Sequence, residues 1–477
     1  MRKTKIVCTI GPAVDDENVM RELMLAGMNV ARINFSHGNY QDQEGRINTV
    51  KRLREELNLP VALLLDTKGP EIRIGTFREN KINLEKDNYF TLFNEDIEGD
   101  ENGVSITYKD LYKDVNIGQK ILINDGTIEV QVEEIRDRDI YCRIINGGTL
   151  TNKKSINVPD LDLNLPSVTD KDVEDLRFGI TADFDYIAAS FVRKAEDVLT
   201  IRGILNDNGG SHIKIISKIE NREGINNFDE ILEASDGIMV ARGDLGVEIP
   251  MEEVPILQKQ FIKKSYRAGK PVITATQMLE SMINEPRPTR AEVSDIANAI
   301  FDGSTAIMLS GETAMGKYPV ECVRAMDRIA NTTENATRYW NRFTKREYEM
   351  EKLPYEFRIN YSVCDAAMNT NAKAIFAFTR TGDTPRIISS FGPYTPIYAI
   401  TENIQIYRQL ALCWNVSPML FEHRDAVNEL LEGAIQIAKD RGDVASGDII
   451  VIAGGSTIVN VDNYGEINKT IGGVIKI

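Results

Sequence analysis

Glu220 and Asp244 each close a short apolar run, in KIISKIE and GIMVARGD, and Lys218 stands two residues before Glu220. Neighbouring strand ends would bring the two carboxylates around one ion. The chain has three histidines, His37, His212 and His423, and neither motif contains one, so the ligand set would be all oxygen. Such a set suits Mg²⁺ or Mn²⁺ rather than zinc. Period two along a strand puts Lys218 on the side of Glu220, where an ammonium beside a metal can stabilise a developing enolate. The plainer alternatives are a pair of helix-capping acids and a lysine bridged to its neighbouring acid. Other runs end in Arg32, Asn34 and Ser36, in Asp66, Thr67 and Lys68, in Arg242, in Thr274 and Thr276, and in Ser310 and Glu312. Cations, acids and hydroxyls are balanced in that set. Gly243-Asp244-Leu245-Gly246 adds small residues where backbone can approach an anion. GETAMGK (311–317) fits GxxxxGK, but Tyr318 stands where a Mg²⁺-holding Ser or Thr is required, so it is not a nucleotide loop, and no GxGxxG is present.

These residues need a scaffold, and the scaffold is a repeated unit. A short apolar run ends in a polar residue or glycine, and a helical pattern follows. KIVCTIG (5–11), NVARINFS (29–36) and VALLLDTKG (61–69) come first. Asp15-Asp16-Glu17 suits a helix N-terminus, and Ile47, Val50, Leu53 and Leu57 share one face of a helix over 40–57. Five more runs follow residue 167: 185–192, 212–220, 236–244, 271–277 and 304–312. Fully apolar runs suit parallel strands covered on both faces. Eight of them with helices between predict a closed (β/α)₈ TIM barrel, with its site at the strands' C-terminal ends; the alternative is an open doubly wound sheet with extra strands. Between about 70 and 166 the pattern is short alternating segments, FTLF (90–93), KILI (120–123), IEVQVEEI (128–135) and IYCRII (140–145), with turns at Asn124-Asp125-Gly126 and Asn146-Gly147-Gly148. That is an inserted all-β module. The charged stretch WNRFTKREYEME reads as a connector. Beyond it, 372–379, 396–403, 447–454 and 472–477 alternate with helices as a smaller open α/β domain. The expected domains are therefore 1–69 with 167–340, then 70–166, then 341–477.

Composition removes several function classes. Over 477 residues, 56 Lys and Arg face 72 Asp and Glu, a net charge of −16, so a general nucleic-acid binder is not expected. No apolar stretch approaches the ~18 residues that would span a bilayer, and Gly11-Pro12 breaks the N-terminal apolar run too early for a signal peptide. The five cysteines, Cys8, Cys142, Cys322, Cys364 and Cys413, are scattered and odd in number, which fits a reduced, cytoplasmic setting.

KIVCTIGP, NVARINFSHG, LLDTKGPEIR, SKIENREG, MVARGDLGVEIP, TATQMLESM and MLSGETAMGKYP resemble, in order, the motifs of the pyruvate kinase family across about residues 3 to 330. The resemblance implies the reaction phosphoenolpyruvate + ADP → pyruvate + ATP. It implies Glu220 and Asp244 as ligands of Mg²⁺ or Mn²⁺, and Arg32 and Lys218 neutralising the transferring phosphoryl group. Gly243, Asp244 and Thr276 would bind the substrate carboxylate, and Thr276 and Ser310 would lie on the protonation route. Asn34, Ser36, Asp66 and Thr67 match monovalent-cation ligands for K⁺, all oxygen donors at adjacent strand ends. Arg73, His37 and Asn34 fall at nucleotide positions. The inserted module becomes a small β-barrel lid that closes over ADP, and the last domain a regulatory one. There TRTGDT (379–384) matches an effector-phosphate loop through Thr379, Thr381, Gly382 and Thr384, while AGGSTIVNVDNYGEIN replaces the family's Gly-rich effector loop. A simpler sugar phosphate or a nucleotide monophosphate is therefore favoured over fructose 1,6-bisphosphate. The resemblance further implies a homotetramer. Neither a phosphocarrier-like domain after 477 nor a long extension before KIVCTIG is expected.

Two rivals use fewer of these residues. A metal-dependent aldolase or lyase needs the metal acids but neither the K⁺ set nor the lid. A non-catalytic paralogue is expected to have lost at least one of Arg32, Lys218, Glu220, Asp244 and Thr276, and all five are present. Glu71 adds a further expectation. In the family, glutamate here accompanies K⁺ dependence and lysine accompanies independence, since a lysine ammonium can supply the fixed charge itself. The alternative is a hinge carboxylate bridged to Arg73.

Overall fold

Apolar runs without a polar face must be covered on both sides, and closing the sheet on itself achieves this. In the computed structural model, which describes residues 2–36, 38–161, 163–346, 348–421, 427–454 and 471–477, eight parallel strands close into one barrel. They are Lys5–Thr9, Val30–Asn34, Ala62–Asp66, Tyr186–Ala189, Lys214–Ile219, Gly237–Ala241, Val272–Ala275 and Ala306–Leu309. Their order around the ring is their order in the chain, and the first pairs with the eighth. Each strand is shorter than its apolar run because the run continues into the loop that follows. Alternation divides the barrel into two layers. Val7, Val30, Leu64, Ile216 and Met239 fill the interior, while Cys8, Ile33, Leu65, Ile215 and Val240 pack outward with the helices. Capping follows the local sequence. Asp16 accepts from the Asn18 and Val19 N–H groups ahead of Glu17–Leu25, and Asn39 caps Tyr40–Glu56, which buries Ile47, Val50 and Leu53.

The inserted module has its own core, including Phe90, Leu92, Ile121, Val130 and Ile140. Its seven-stranded sheet begins and ends with Ile72–Arg73 and Gly103–Ser105. A bridge between Ile74 and Ile106, with Thr107 N–H donating to Arg73 O and Gly75 N–H to Ser105 O, brings the two edges together, so the sheet curls into a small barrel. Asn124, Asp125 and Gly126 all have positive φ, as the turn signal required. One buried carboxylate holds both crossings of the hinge. Asp172 Oδ1 accepts from Gly69 N–H at 3.0 Å, and its Oδ2 accepts from Thr169 N–H at 2.9 Å and Thr169 Oγ1 at 2.6 Å.

The last domain is a five-stranded sheet in the order Val416–Leu420, Ile397–Thr401, Ala374–Phe378, Ile449–Gly454, Ile471–Lys476, with the final pair antiparallel. Val416–Leu420 was not among the expected runs. Pro418 inside it argues against a strand, and an edge position is where a strand tolerates proline. The charged connector also differs from expectation. It holds a helix, Tyr339–Lys345, whose Phe343 is buried in the C-terminal core. All five cysteines are buried and free. Among the described residues no helix is long and apolar enough to cross a membrane.

The C-terminal domain grips the bottom of the barrel. Leu412 packs with the interior layer. Arg408 Nε donates to Asp185 Oδ1 and its Nη2 to Asp183 Oδ2, both at 2.8 Å. Asp185 is fully enclosed and also accepts from Leu63 N–H at 2.8 Å. Removing the guanidinium leaves a buried carboxylate short of charge. Arg408→Met is expected to cost about 3 kcal/mol, read as a lower midpoint in thermal or urea unfolding. A midpoint equal to that of the unmodified chain would contradict this account of the seam.

Candidate active site

The second, third and fifth barrel strands end in residues of alternating charge. Asp66, 1% exposed, accepts from Arg32 Nε at 2.6 Å through one oxygen and lies 3.2 Å from Lys218 Nζ through the other. Lys218 also lies 2.9 Å from Glu220 Oε1, and Glu220 is 1% exposed. The sequence of charges is thus Arg32, Asp66, Lys218, Glu220. Each buried charge has an opposite neighbour, which burial demands. Arg32 Nη1 donates to Thr9 Oγ1 at 2.8 Å, and the Thr9 hydroxyl donates to Leu309 O at 2.9 Å.

Titration follows from this packing. Burial works against the Lys218 ammonium, but Asp66 and Glu220 outweigh it and hold its proton firmly. Burial also opposes ionisation of Asp66, yet Arg32 and Lys218 keep it below the usual carboxylate range. Glu220 goes the other way. Burial and the nearby Asp244 push it up to about 7 against the pull of Lys218. Two carboxylates that crowd each other in a buried place are what a hard cation relieves. Among the described residues no three His, Cys, Asp or Glu side chains converge into a metal cluster, so protein would supply only part of such a shell.

Asp244 sits in the first turn of the short helix Arg242–Glu248. Gly243 N–H donates to Thr276 Oγ1 at 2.7 Å, and that hydroxyl donates to Ala275 O at 2.6 Å. Thr276 and Gln277 have φ of 68° and 52°, a left-handed turn that non-glycine residues seldom adopt. Arg242 holds the turn in place through Thr276 O at 2.7 Å while paired to Asp295 at 2.7 Å. Ser310 follows the eighth strand, and its N–H donates to the buried Glu312. Thr274 does not reach the rim. It is buried within its strand and bonded to Ser304.

The second and third strand ends place Asn34 in register with Asp66. Asn34 Oδ1 accepts from Ser36 N–H at 3.0 Å, and Thr67 Oγ1 accepts from Ser190 N–H at 3.2 Å. These oxygens stand at adjacent positions, but Asp66 is shared with Arg32 and Lys218. Arg73 lies on the inserted module with Nε 2.8 Å from Glu71 Oε2 and Nη1 on Lys153 O. The hinge-carboxylate alternative for Glu71 is therefore present in the geometry. His37 lies outside the described residues. The module faces the rim across an open cleft lined by Lys120, Asp125, Arg242, Asp244 and Thr276, and Asn157 reaches across to Glu248 at 2.7 Å.

In the last domain the turn before helix Asp383–Phe391 is closed on itself. Gly382 N–H donates to Thr379 Oγ1, and Thr381 Oγ1 donates to Asp383, each at 2.8 Å. Thr384 lies in the helix. The loop AGGSTIVNVDNYGEIN lies, from residue 455 on, outside the described residues. GETAMGK opens on the short helix Gly311–Ala314, and a Cβ at Gly316 would run into Glu312 O.

Ser190 was not among the residues expected at the rim. Its hydroxyl accepts from Lys218 Nζ at 2.7 Å and donates to Thr67 O at 2.7 Å, joining the third, fourth and fifth strand ends. It closes the run DYIAAS, so the strand-end rule that found the others could have found it. Phe191 was also missed. Its φ is 55°, and its N–H donates to Glu220 Oε2 at 2.6 Å.

Comparison with known proteins gives one answer. Residues 1–323 match the family model described as pyruvate kinase, barrel domain, and residues 358–466 the one described as pyruvate kinase, alpha/beta domain. The chain is 49% identical over 456 residues to the pyruvate kinase of Clostridium acetobutylicum, covering 95% of this chain and 96% of that one. It is 50% identical over 457 residues to that of Staphylococcus epidermidis and 48% to that of Staphylococcus aureus, covering 95% of this chain and 78% of each relative.

Ser190→Ala tests the hydroxyl bridge. Losing it is expected to cost about 1–2 kcal/mol of stability and to lower turnover, because Lys218 loses the partner that is not an acid. A variant with unchanged thermal midpoint and unchanged turnover would show that the bridge holds nothing.

Proposed function

The chain belongs to the pyruvate kinase family, and from that premise we propose how its rim moves a phosphoryl group from phosphoenolpyruvate to ADP, giving pyruvate and ATP. The observation that carries the proposal is the buried alternation Arg32, Asp66, Lys218, Glu220 beside Asp244, at strand ends under a lid. Glu220 and Asp244 would hold Mg²⁺ or Mn²⁺; the raised Glu220 beside a second acid fits a divalent cation. When bound, that ion supplies Lewis-acid charge next to the substrate oxygens. Asn34, Ser36, Asp66 and Thr67 would hold K⁺, which adds positive charge on the phosphoryl side; oxygen-only donors fit it.

The protein's part is positioning and charge. Arg32 and Lys218 face the phosphoryl oxygens as charge spreads over them. An ADP oxygen attacks phosphorus, the bond from phosphorus to the enol oxygen breaks, and Lys218 stabilises the enolate left behind. Gly243 and Asp244 N–H groups and the Thr276 hydroxyl orient the substrate carboxylate, which requires the Gly243–Thr276 bond to open. Carbon then takes a proton along the Thr276 and Ser310 hydroxyls and water. Arg73, His37 and Asn34 would meet the nucleotide as the lid shuts out water, since transfer to water would waste the substrate.

The barrel over 1–69 and 167–340 is the catalytic unit, 70–166 the lid and 341–477 the regulatory domain. Thr379, Thr381, Gly382 and Thr384 form the proposed effector-phosphate turn. A homotetramer is proposed from membership of the family, and the free, buried thiols support a cytoplasmic setting.

A coupled assay of ATP formation, with Mg²⁺ and with or without KCl in tetramethylammonium buffer, tests the reading. Lys218→Met is expected to cut turnover at least ~100-fold with the fold intact; near-normal turnover would remove its role. Apparent Mg²⁺ affinity is expected to fall as pH drops through about 7, because the raised Glu220 must release its proton to bind the ion. Calorimetry in two buffers of different ionisation enthalpy reads that proton, and its absence would count against Glu220 as a ligand.

A further inference from the structure

A second concentration of positive charge lies far from the rim, where barrel, connector helix and C-terminal domain meet. The cleft there is open to solvent, holds a cavity of about 40 Å³, and is lined by Lys270, Arg342, Arg346 and Arg386, with Tyr266 and Trp414 among its walls. Each cation touches the end of a helix. Lys270 donates to Leu232 O and Glu233 O at 2.7 Å, Arg386 to Gly269 O at 2.6 Å, Arg342 to Asp302 O at 2.8 Å, and Arg346 to Ser390 O and Phe391 O at 3.0 and 2.9 Å. Capping of this kind explains why basic residues gather here.

Capping does not use up what they offer. A guanidinium carries five N–H donors. Arg342 spends one carbonyl contact, and both carbonyl contacts of Arg346 come from a single nitrogen. The Arg346 Nε is buried with no acceptor, and its guanidinium carbon stands 4.0 Å over the Tyr266 ring. Among the described residues Arg386 has Asp383 at 2.7 Å, while neither Arg342 nor Arg346 has a carboxylate within ion-pair distance. The two repel each other: burial and then Arg346 hold Arg342 below the usual guanidinium value. In a chain of net charge −16, two half-buried guanidiniums near each other, with no carboxylate at ion-pair distance among the described residues, leave a place for a diffusible anion.

We propose that this cleft binds a phosphate group, either inorganic phosphate or the phosphate of a small phosphorylated metabolite, and that the bound anion ties the connector helix to the domains on both sides. The site is separate from the rim and does not depend on the catalytic reading.

The chain reports on the site itself. It has two tryptophans. Trp414 lines the cleft, and Trp340 packs on Phe343 of the connector helix. The experiment is a tryptophan-emission titration of the full chain with potassium phosphate, against KCl at matched ionic strength and K⁺. A saturable change with phosphate alone is expected. Arg346→Gln should weaken it at least tenfold and leave turnover without added phosphate unchanged. Should Arg346→Gln fail to fold, Arg342→Gln, which gives up one carbonyl contact, carries the same test, and Arg342→Lys should bind between the two. A parallel titration with glycerol 3-phosphate separates the sources. A tighter midpoint supports an ester ligand, and an equal or weaker one supports free phosphate. Superimposed phosphate and chloride curves, or an unchanged midpoint in the folded variants, would overturn the proposal.

Discussion

A lysine ammonium buried at the end of a strand is the constraint around which the rest of the site is arranged. Lys218 is 9% exposed, and an unpaired charge so placed would give up its proton or unfold its surroundings. Asp66 and Glu220 on either side prevent both. Each acid then needs its own counterpart. Asp66 finds Arg32, and Arg32 is steadied by Thr9, which ties the second strand to the first and eighth. Glu220 finds a backbone N–H from Phe191 at the cost of a left-handed residue. Strain therefore collects at one end of the barrel, while the opposite end is held by Leu412 and the buried Asp185–Arg408 pair.

Closure of the barrel makes these demands compatible. Strand ends in a ring are held at fixed spacing by neighbours on both sides, so side chains of opposite charge stay in reach without flexible loops to hold them. The lid leaves and re-enters between the third and fourth strands. Both crossings end on Asp172, a residue that also caps the helix leading into the fourth strand. Motion of the module is thus referred to the rigid part of the barrel close to Asp66 and Thr67.

Much of this was legible because the governing signals are local. Strand ends could be counted, and the residue two before an acid must share its side. The turn at Asn124-Asp125-Gly126 was written in its residue types. What was missed depends on partners distant in sequence. Ser190 gains its meaning from Lys218 and from Thr67, which are near only after the barrel closes. Val416–Leu420 contains a proline that only an edge position permits. The charged stretch read as a connector between domains, but its Phe343 belongs to a core assembled by later residues. Thr274 seemed a rim group until the register placed Ser304 against it.

The distribution of sulfur carries one more consequence. Each of the three units holds its own sealed thiol: Cys8 and Cys322 in the barrel, Cys142 in the inserted module, Cys364 and Cys413 in the last domain. Burial pushes the Cys142 and Cys322 thiols up to about 12, so none of this sulfur is poised to react while its surroundings stay shut. Alkylation must wait for opening. The chain therefore carries a built-in clock in every domain: consumption of Cys8 or Cys322, of Cys142 and of Cys364 measures how often each domain comes apart, while Cys413, on the seam, reports the parting of barrel and last domain.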